Sequence, residues 1–409
     1  MDTLYPHCAG LDVHKDTVVA CVRHWESGQV RQEVRTFGTT TRELLALGDW
    51  LGPEGVTHVA MESTGVYWQP VWNLLEGRFE LVLANARHIK NVPGRKTDVQ
   101  DCQWIAQLLQ HGLIQGSLVP LQEQRELRDL TRMRSTLVQE KARVANRIQK
   151  VLEQANIKLG SVATDVLGAS GRDMLRALIG GETDPVRIAD LARRRLRAKI
   201  PQLTEALTGR VTEHHRFLLQ LMLEQVDAVE QQIATLDARI EQVLGPFRQA
   251  IVERLDTIPG FDRRAAQALI AEIGTDMDRF ADAGHLCSWA GMCPGNHQSA
   301  GKRKSGRCAP GNRWLRSLLA QTAWAASHTK ATYFTAQYHR LAGRRGRKRA
   351  VVAVGHSQLI IAYHLIRGDG VYEDLGPDHF DKLHGQRKIE GLVKQLRRLG
   401  YQVTLAPAA

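Results

Sequence analysis

The stretch Gly94-Arg95-Lys96-Thr97-Asp98-Val99-Gln100-Asp101-Cys102-Gln103-Trp104-Ile105-Ala106-Gln107-Leu108-Leu109 reads as a loop feeding a helix. Thr97 or Asp98 would cap its first turn, and Ile105, Leu108 and Leu109 make its buried stripe. Asp98 and Asp101 are three residues apart, so on a helix they share one face. Neighbouring carboxylates repel unless a cation lies between them, and a divalent metal is the usual solution. An N-cap followed by a solvated acid accounts for the same residues. The choice between the two depends on what the preceding elements bring alongside.

Those elements are rich in strands. Ala9–His14 alternates like a strand and ends in polar residues, Thr17–Val22 is a second β-rich run, and Gln32–Phe37 a weaker third. A helix carrying Leu44, Leu45, Leu47, Trp50 and Leu51 follows, then a buried-type strand at His58–Ser63 that contains Glu62. Val66–Leu75 reads as a helix and Leu81–Leu83 as a strand, and the Asp98/Asp101 helix closes the unit. The order β-β-β-α-β-α-β-α mixes hairpins with crossovers and predicts an RNase H-like sheet covered by helices. In that layout Asp12, Glu62, Asp98 and Asp101 converge from three elements. Two Mg²⁺ (or Mn²⁺) ions about 4 Å apart, the device that cleaves phosphodiesters, need such a set of acids. An actin-like ATPase also carries an early Asp on its first strand, but it needs Gly-rich phosphate loops, and Ser63-Thr64-Gly65 is too short to be one.

Composition narrows the class. The chain has 409 residues, enough for two or three domains, and a formal charge of +12, which favours an anionic partner, nucleic acid before membrane surface. No run of eighteen apolar residues exists, and Met1–His7 lacks the architecture of a signal peptide. Six cysteines are scattered without a Cys-x-x-Cys pair, which suits a reducing cytoplasm and supports neither a zinc nor a disulfide framework.

The middle is helical. From Leu121 to Leu159, Leu130, Leu137, Val144 and Val151 recur at seven with Leu127 and Ile148 between them. Arg125, Arg128, Arg132, Arg134, Lys141, Arg143, Arg147 and Lys150 fall largely off that stripe, as a solvated face or as a face that tracks phosphates. Residues 160–200 carry no readable chemistry. Leu219, Met222, Val226, Val229, Ile233, Leu236, Ile240 and Val243 then form a heptad seam, either a hairpin within the chain or a coiled coil between chains, ended by Gly245-Pro246.

The C-terminal part is basic. Leu255–Phe261, with its Pro259-Gly260 corner, leads into a helix closed by Gly274. The form is either a helix-hairpin-helix that meets phosphate through backbone N–H groups or an ordinary helical corner. Between Asp282 and Asp369 there is no acidic residue, while Lys and Arg number fourteen. Within this span Ser299 lies in a Gly-flanked loop among Lys302, Arg303, Lys304 and Arg307, as a plain hydroxyl or as a nucleophile assisted by cations. The candidate nucleic-acid contacts are these cations with Arg95, Lys96, Arg313 and Arg316, and the block Arg344, Arg345, Arg347, Lys348 and Arg349. An apolar helix from Ala350 to Leu365 follows that block.

These residues carry a family resemblance. GLDVHK (10–15), MESTGVYW (61–68) and GRKTDVQDCQWIAQLL (94–109) resemble the four-acid motif of the DEDD, or Piv-like, transposases of the insertion-sequence family numbered one hundred and ten. LDTIPGF (255–261), FADAGHLCSWAGMCPGNHQSAGKRKSGR (280–307) and GNRWLR (311–316) are similar to that family's second domain. Relatives commonly carry a basic residue ahead of Gly311-Asn312-Arg313, where this chain has Ala309-Pro310.

The resemblance implies a RuvC-like catalytic domain over 1–120 and a helical, coiled-coil oligomerisation region over 121–248. It implies a serine-bearing transposase domain over 249–345 and a helical extension over 346–409. It implies that Asp12, Glu62, Asp98 and Asp101 bind Mg²⁺ and that Ser299 becomes joined to DNA. It further implies a tetramer, a dimer of dimers, whose choice of DNA is guided by a structured bridge RNA. A metal-dependent, resolvase-like nuclease using water is the alternative enzyme, and a non-catalytic nucleic-acid scaffold the alternative outside catalysis.

Overall fold

A computed structural model describes residues 3–26, 28–63, 65–84, 98–114, 116–295, 297–299, 301–308 and 310–405. They fall into two compact units, Met1–Pro120 and Leu121–Ala409.

The first unit is built on a five-stranded mixed sheet. Its strands are β1 (His7–Val13), β2 (Thr17–Glu26), β3 (Gln29–Gly38), β4 (His58–Glu62) and β5 (Glu80–Ala84), and its helices α1 (Thr41–Leu51), α2 (Trp68–Leu75) and α3 (Asp98–Gln110). The order across the sheet is β3-β2-β1-β4-β5. β1 pairs with β2, and β2 with β3, antiparallel through short turns, whereas β1–β4 and β4–β5 are parallel and need the helical crossovers between them. β1 is therefore central and almost wholly buried.

Strand alternation sends its side chains to two different layers. Ala9, Leu11 and Val13, with Val18, Ala20, Val22, Val59 and Met61, face the apolar stripes of α1 (Leu44, Leu47, Leu51) and α2 (Val71, Trp72, Leu75). Cys8 and Ala60 face Ile105 and Leu109 of α3, and Val19 and Cys21 face its Cys102 and Ala106. Gly10 lies under this helix. A Cβ built there would sit 2.4 Å from both the Ala106 nitrogen and the Cys102 carbonyl oxygen. Glycine in the strand thus lets the helix backbone rest on the sheet.

The second unit is mostly helical. α4 (Gln122–Gln154) pairs with α9 (Glu213–Asp256), joined by the short helices α5 (Leu159–Val162), α6 (Ala169–Ile179), α7 (Pro185–Asp190) and α8 (Ile200–Leu207). The pair is antiparallel: Val144, Ile148 and Val151 of α4 share a core with Leu219 and Val226, and Leu137 shares one with Val229 and Ile233. The heptad seam therefore closes within the chain. Leu244, and not Val243, is its buried last member, as expected of a 3.6-residue period drifting against a seven-residue repeat. Gly245 interrupts the helix with φ 66° and ψ 169°, after which it resumes to Asp256. The stretch 160–200, silent in sequence, supplies Met174, Leu175, Leu178 and Ile188 to the same core.

Helices α10 (Arg263–Ile273), α11 (Ala283–Trp289), α12 (Arg313–His328), α13 (Tyr333–Arg345), α14 (Arg347–Arg367) and α15 (His379–Arg398) follow, with a two-stranded ribbon, β6 (His297–Ser299) and β7 (Lys302–Ser305), before α12. α14 is the one described helix long and apolar enough to span a bilayer by length and composition, but 50% of that window is buried within the protein, as in a core helix. None of the six cysteines is in a disulfide.

The corner at Pro259-Gly260 is packed against α12. A Cβ on Gly260 (φ +88°) would lie 2.2 Å from the Thr322 carbonyl oxygen, so the turn is pressed on α12. Gln358 donates to the Pro259 carbonyl at 2.9 Å and accepts from the Thr322 hydroxyl at 2.9 Å. The start of α10 is satisfied by Asp262, which accepts from the Ala265 amide at 2.7 Å.

Gly10→Ala should destabilise the first unit by about 3 kcal/mol, the upper end for overpacking, because the neighbour is backbone and cannot swing aside. Hydrogen exchange of β1 and α3 amides measures this. Unchanged protection would mean that the helix does not depend on the missing Cβ.

Candidate functional site

The pairing of β1 with β4 runs Cys8↔His58, Ala9↔Val59, Gly10↔Ala60 and Leu11↔Met61. One step further in this register Asp12 comes level with Glu62, so the two acids point to the same face at the carboxyl ends of adjacent parallel strands. It is also the face that α3 covers. The helix runs antiparallel to β1: the Leu4 and Tyr5 amides donate to the Gln110 carbonyl, the Cys8 thiol donates to the Ala106 carbonyl at 3.5 Å, and Gly10 lies beneath Cys102. The turn before Cys102 therefore reaches the level of Asp12. That turn begins at Asp98 and contains Asp101. The geometry thus brings Asp12, Glu62 and the acid-bearing turn of α3 to one end of the sheet. The side chain of Asp98 lies outside the described residues, as do Thr97, Arg95 and Lys96.

Asp12 is 6% exposed, and its Oδ2 lies 3.1 Å from Nε2 of His14, two residues on along the same face. Glu62 and Asp101 are half-buried, and neither side chain forms an ion pair or hydrogen bond among the described residues. Cys102 adds no charge here. Its thiol is held far above the ordinary range by a hydrogen bond with the Cys21 sulfur, then by burial, with a smaller contribution from the nearby Asp12. Carboxylates are the ligands that a hard divalent cation such as Mg²⁺ or Mn²⁺ takes. His14 and the Cys21–Cys102 pair were not singled out in sequence. The His two residues after Asp12 was the available signal for the first, while the second depends on β2 and α3 meeting.

In the second unit Ser299 ends β6 and pairs with Lys302 across the tip of the ribbon. The side chains of Ser299, Arg303 and Lys304 lie outside the described residues. Lys302 and Arg307 are exposed. The chain returning from the ribbon is held at two points. Gly311 passes so close to α11 that a Cβ would lie 2.3 Å from the Ala290 carbonyl oxygen. Asn312 then caps α12, its Oδ1 accepting from the Trp314 and Leu315 amides at 3.0 and 3.3 Å, while its Nδ2 donates to Glu272. Glu272, 3% exposed, also accepts two bonds from Arg132 at 2.7 and 2.9 Å and lies 3.5 Å from Arg128. One buried carboxylate thus ties α4, α10 and the start of α12 together. Arg313 and Arg316 line an open pocket of about 410 Å³ beside this loop, with Met292, Pro310, Gly311, Ser317, Ala320 and Val352.

The basic face of α4 divides. Arg134 is buried on Asp237 and Gln267, each at 3.0 Å, and Lys141 pairs with Glu230 at 2.7 Å. With Arg128 and Arg132 committed to Glu272, the part of the face read as tracking phosphate is partly structural. Arg143, Arg147 and Lys150 remain exposed, as do Arg344, Arg345, Arg347, Lys348 and Arg349 where α13 meets α14.

Comparison with known proteins bears on both units. Residues 9–157 match a family model described as transposase, of the DEDD, IS110 type. Residues 252–339 match a second, described as transposase of the IS116/IS110/IS902 family. The two segments together take in more than half of the chain. The chain belongs to the IS110 transposase family. A probable family 20 transposase of Pseudomonas aeruginosa is 24% identical over 77% of this transposase and 85% of its own length. A 42 kDa protein of insertion element IS900 from Mycobacterium paratuberculosis is 27% identical over 71% and 80%. A pilin gene-inverting protein of Moraxella bovis is 31% identical over 33% of this chain and 43% of its own.

Glu272→Ala would leave two arginines and a cap asparagine facing an empty buried position. Removing one member of such a group costs about 3–5 kcal/mol. Urea unfolding of the purified transposase should show that loss, with early exchange of the Trp314 and Leu315 amides. Wild-type stability would mean that the cluster is dispensable.

Proposed function

We propose that this transposase cuts and rejoins DNA through a covalent serine–DNA intermediate, with a divalent metal held by Asp12, Glu62, Asp98 and Asp101. The observation that carries the reading is the shared register of Asp12 and Glu62 beneath the acid-bearing turn of α3. The strand order β3-β2-β1-β4-β5 supports an RNase H/RuvC-like reading of the first unit. Mg²⁺ or Mn²⁺ bound there would stabilise the charge that develops on a scissile phosphate.

In this mechanism Ser299 Oγ forms a bond to phosphorus, and the bond from phosphorus to one sugar oxygen breaks. The proton lost by the serine hydroxyl is matched by the one taken up as that oxygen leaves as a hydroxyl. Attack by the hydroxyl of a second DNA end reverses the step and joins the strands. Lys302, Arg307, Arg313 and Arg316 would hold the phosphates near Ser299. The block Arg344–Arg349 and the exposed cations of α4 would grip nucleic acid further along, including a guide RNA. Acids and serine lie in different units, which suits a dimer of dimers in which one subunit's acids serve another's serine. The name of the pilin gene-inverting relative speaks for recombination rather than cutting alone. The setting is the cytoplasm.

The test is an SDS trap on protein expressed with its own flanking DNA and RNA. Wild type should give protein-linked DNA that Ser299→Ala abolishes. Asp98→Ala and chelation should each lower cutting by more than the roughly 100-fold that loss of a supporting residue costs at a metal site, with RNA binding intact. Cutting without an adduct, unchanged in Ser299→Ala, would establish the nuclease that uses water. Normal cutting by Asp98→Ala would remove the four-acid site.

A further inference from the structure

At the opposite end of β1 from Asp12 is a second group of side chains with metal-binding chemistry. His7 of β1 and His24 of β2 are direct cross-strand partners, and Glu26 follows His24 by two residues, so all three share a face. Their ligand atoms lie within 4.8 Å of one another. The two Nδ1 atoms face each other at 2.9 Å, while Nε2 of His24 lies 3.0 Å from a Glu54 carboxylate oxygen in the turn after α1.

The tautomer follows from this arrangement. A carboxylate only accepts, so Nε2 of His24 carries a proton, and the neutral imidazole then presents its lone pair at Nδ1. Glu54 therefore plays the part of the carboxylate that orients a metal-binding histidine from behind. His24 is 5% exposed and cannot swing away to solvent, whereas His7 is half-buried and Glu26 exposed, which leaves an entry path. Two ligands bound tetrahedrally to zinc at about 2.0–2.1 Å stand roughly 3.3 Å apart, a small opening from the present separation.

We infer that His7, His24 and Glu26 bind a borderline transition-metal dication, zinc in the first instance, with water completing the tetrahedron and Glu54 orienting His24. Five residue steps along the strand, roughly 17 Å, take His7 to Asp12, so this site is independent of the four acids. Its ligands are imidazole-rich, whereas the four acids offer only oxygen, so the two sites select different metals. The bound ion would fasten the ends of β1 and β2 to each other and, through Glu54, to the turn after α1.

Cobalt titration of the chelator-stripped, full-length protein tests this, with excess Mg²⁺ present to occupy oxygen sites. Wild type should bind one equivalent with the intense visible bands of four-coordinate cobalt, and zinc should displace it and raise the melting temperature. His7→Gln should lose both effects, and Glu54→Gln should keep the bands with affinity weakened about 10- to 100-fold. If His24→Gln fails to fold, His7→Gln and Glu26→Gln, which alter less buried positions, carry the test. No such bands in wild type, or wild-type cobalt affinity in His7→Gln, would overturn the site and leave a His7–His24 hydrogen bond in its place.

Discussion

The first unit depends on the contact between the backbone of α3 and Gly10. Helices usually stand off a sheet by the thickness of two side-chain layers, and here one of those layers is missing at its centre. The consequence is chemical as well as mechanical. Drawing the helix onto β1 brings its first turn within reach of the carboxyl ends of β1 and β4, where Asp12 and Glu62 stand level. Acids contributed by separate elements can share a cation only if those elements are held at short range, and a small residue in the central strand achieves that.

The second unit rests on a different device. Glu272, itself buried, gathers Arg128, Arg132 and Asn312. A buried carboxylate is tolerated only when its charge and lone pairs are matched, and these partners match it. The ribbon bearing Ser299 leaves from Pro294-Gly295 and returns at Gly311-Asn312, so its return is fixed by the Gly311 contact and the Asn312 cap. Cations that do not enter such pairs, at Lys302, Arg307, Arg313 and Arg344–Arg349, remain at the surface of a span without a single acid.

Much of this was legible from residue order. The strands and helices of the first unit follow from β-rich runs alternating with 3.6-residue stripes, and their mixture of hairpins and crossovers matches the observed order of the sheet. The seam from Leu219 to Ile240 was legible as a seam, but periodicity alone does not say whether the partner is the same chain. The basic face of α4 misled in part, because a run of arginines looks the same whether its partners are phosphates or carboxylates more than a hundred residues away. At the Pro259-Gly260 corner the motif was visible, while Thr322 and Gln358, which bury it, are distant in sequence.

By itself the amino-acid order determined the element types and the excess of positive charge, since these depend on local periodicity and residue chemistry, and it offered the four acids and the serine as candidates through a family resemblance. Tertiary structure alone decided that Asp12 and Glu62 share a register, that α3 lies over them, and that Arg128, Arg132 and Arg134 point inward. It also decided that His7, His24, Glu26 and Glu54 meet at the far end of the sheet. The reason is physical: strand pairing and helix docking set distances between residues whose separation along the chain carries no information about their separation in space.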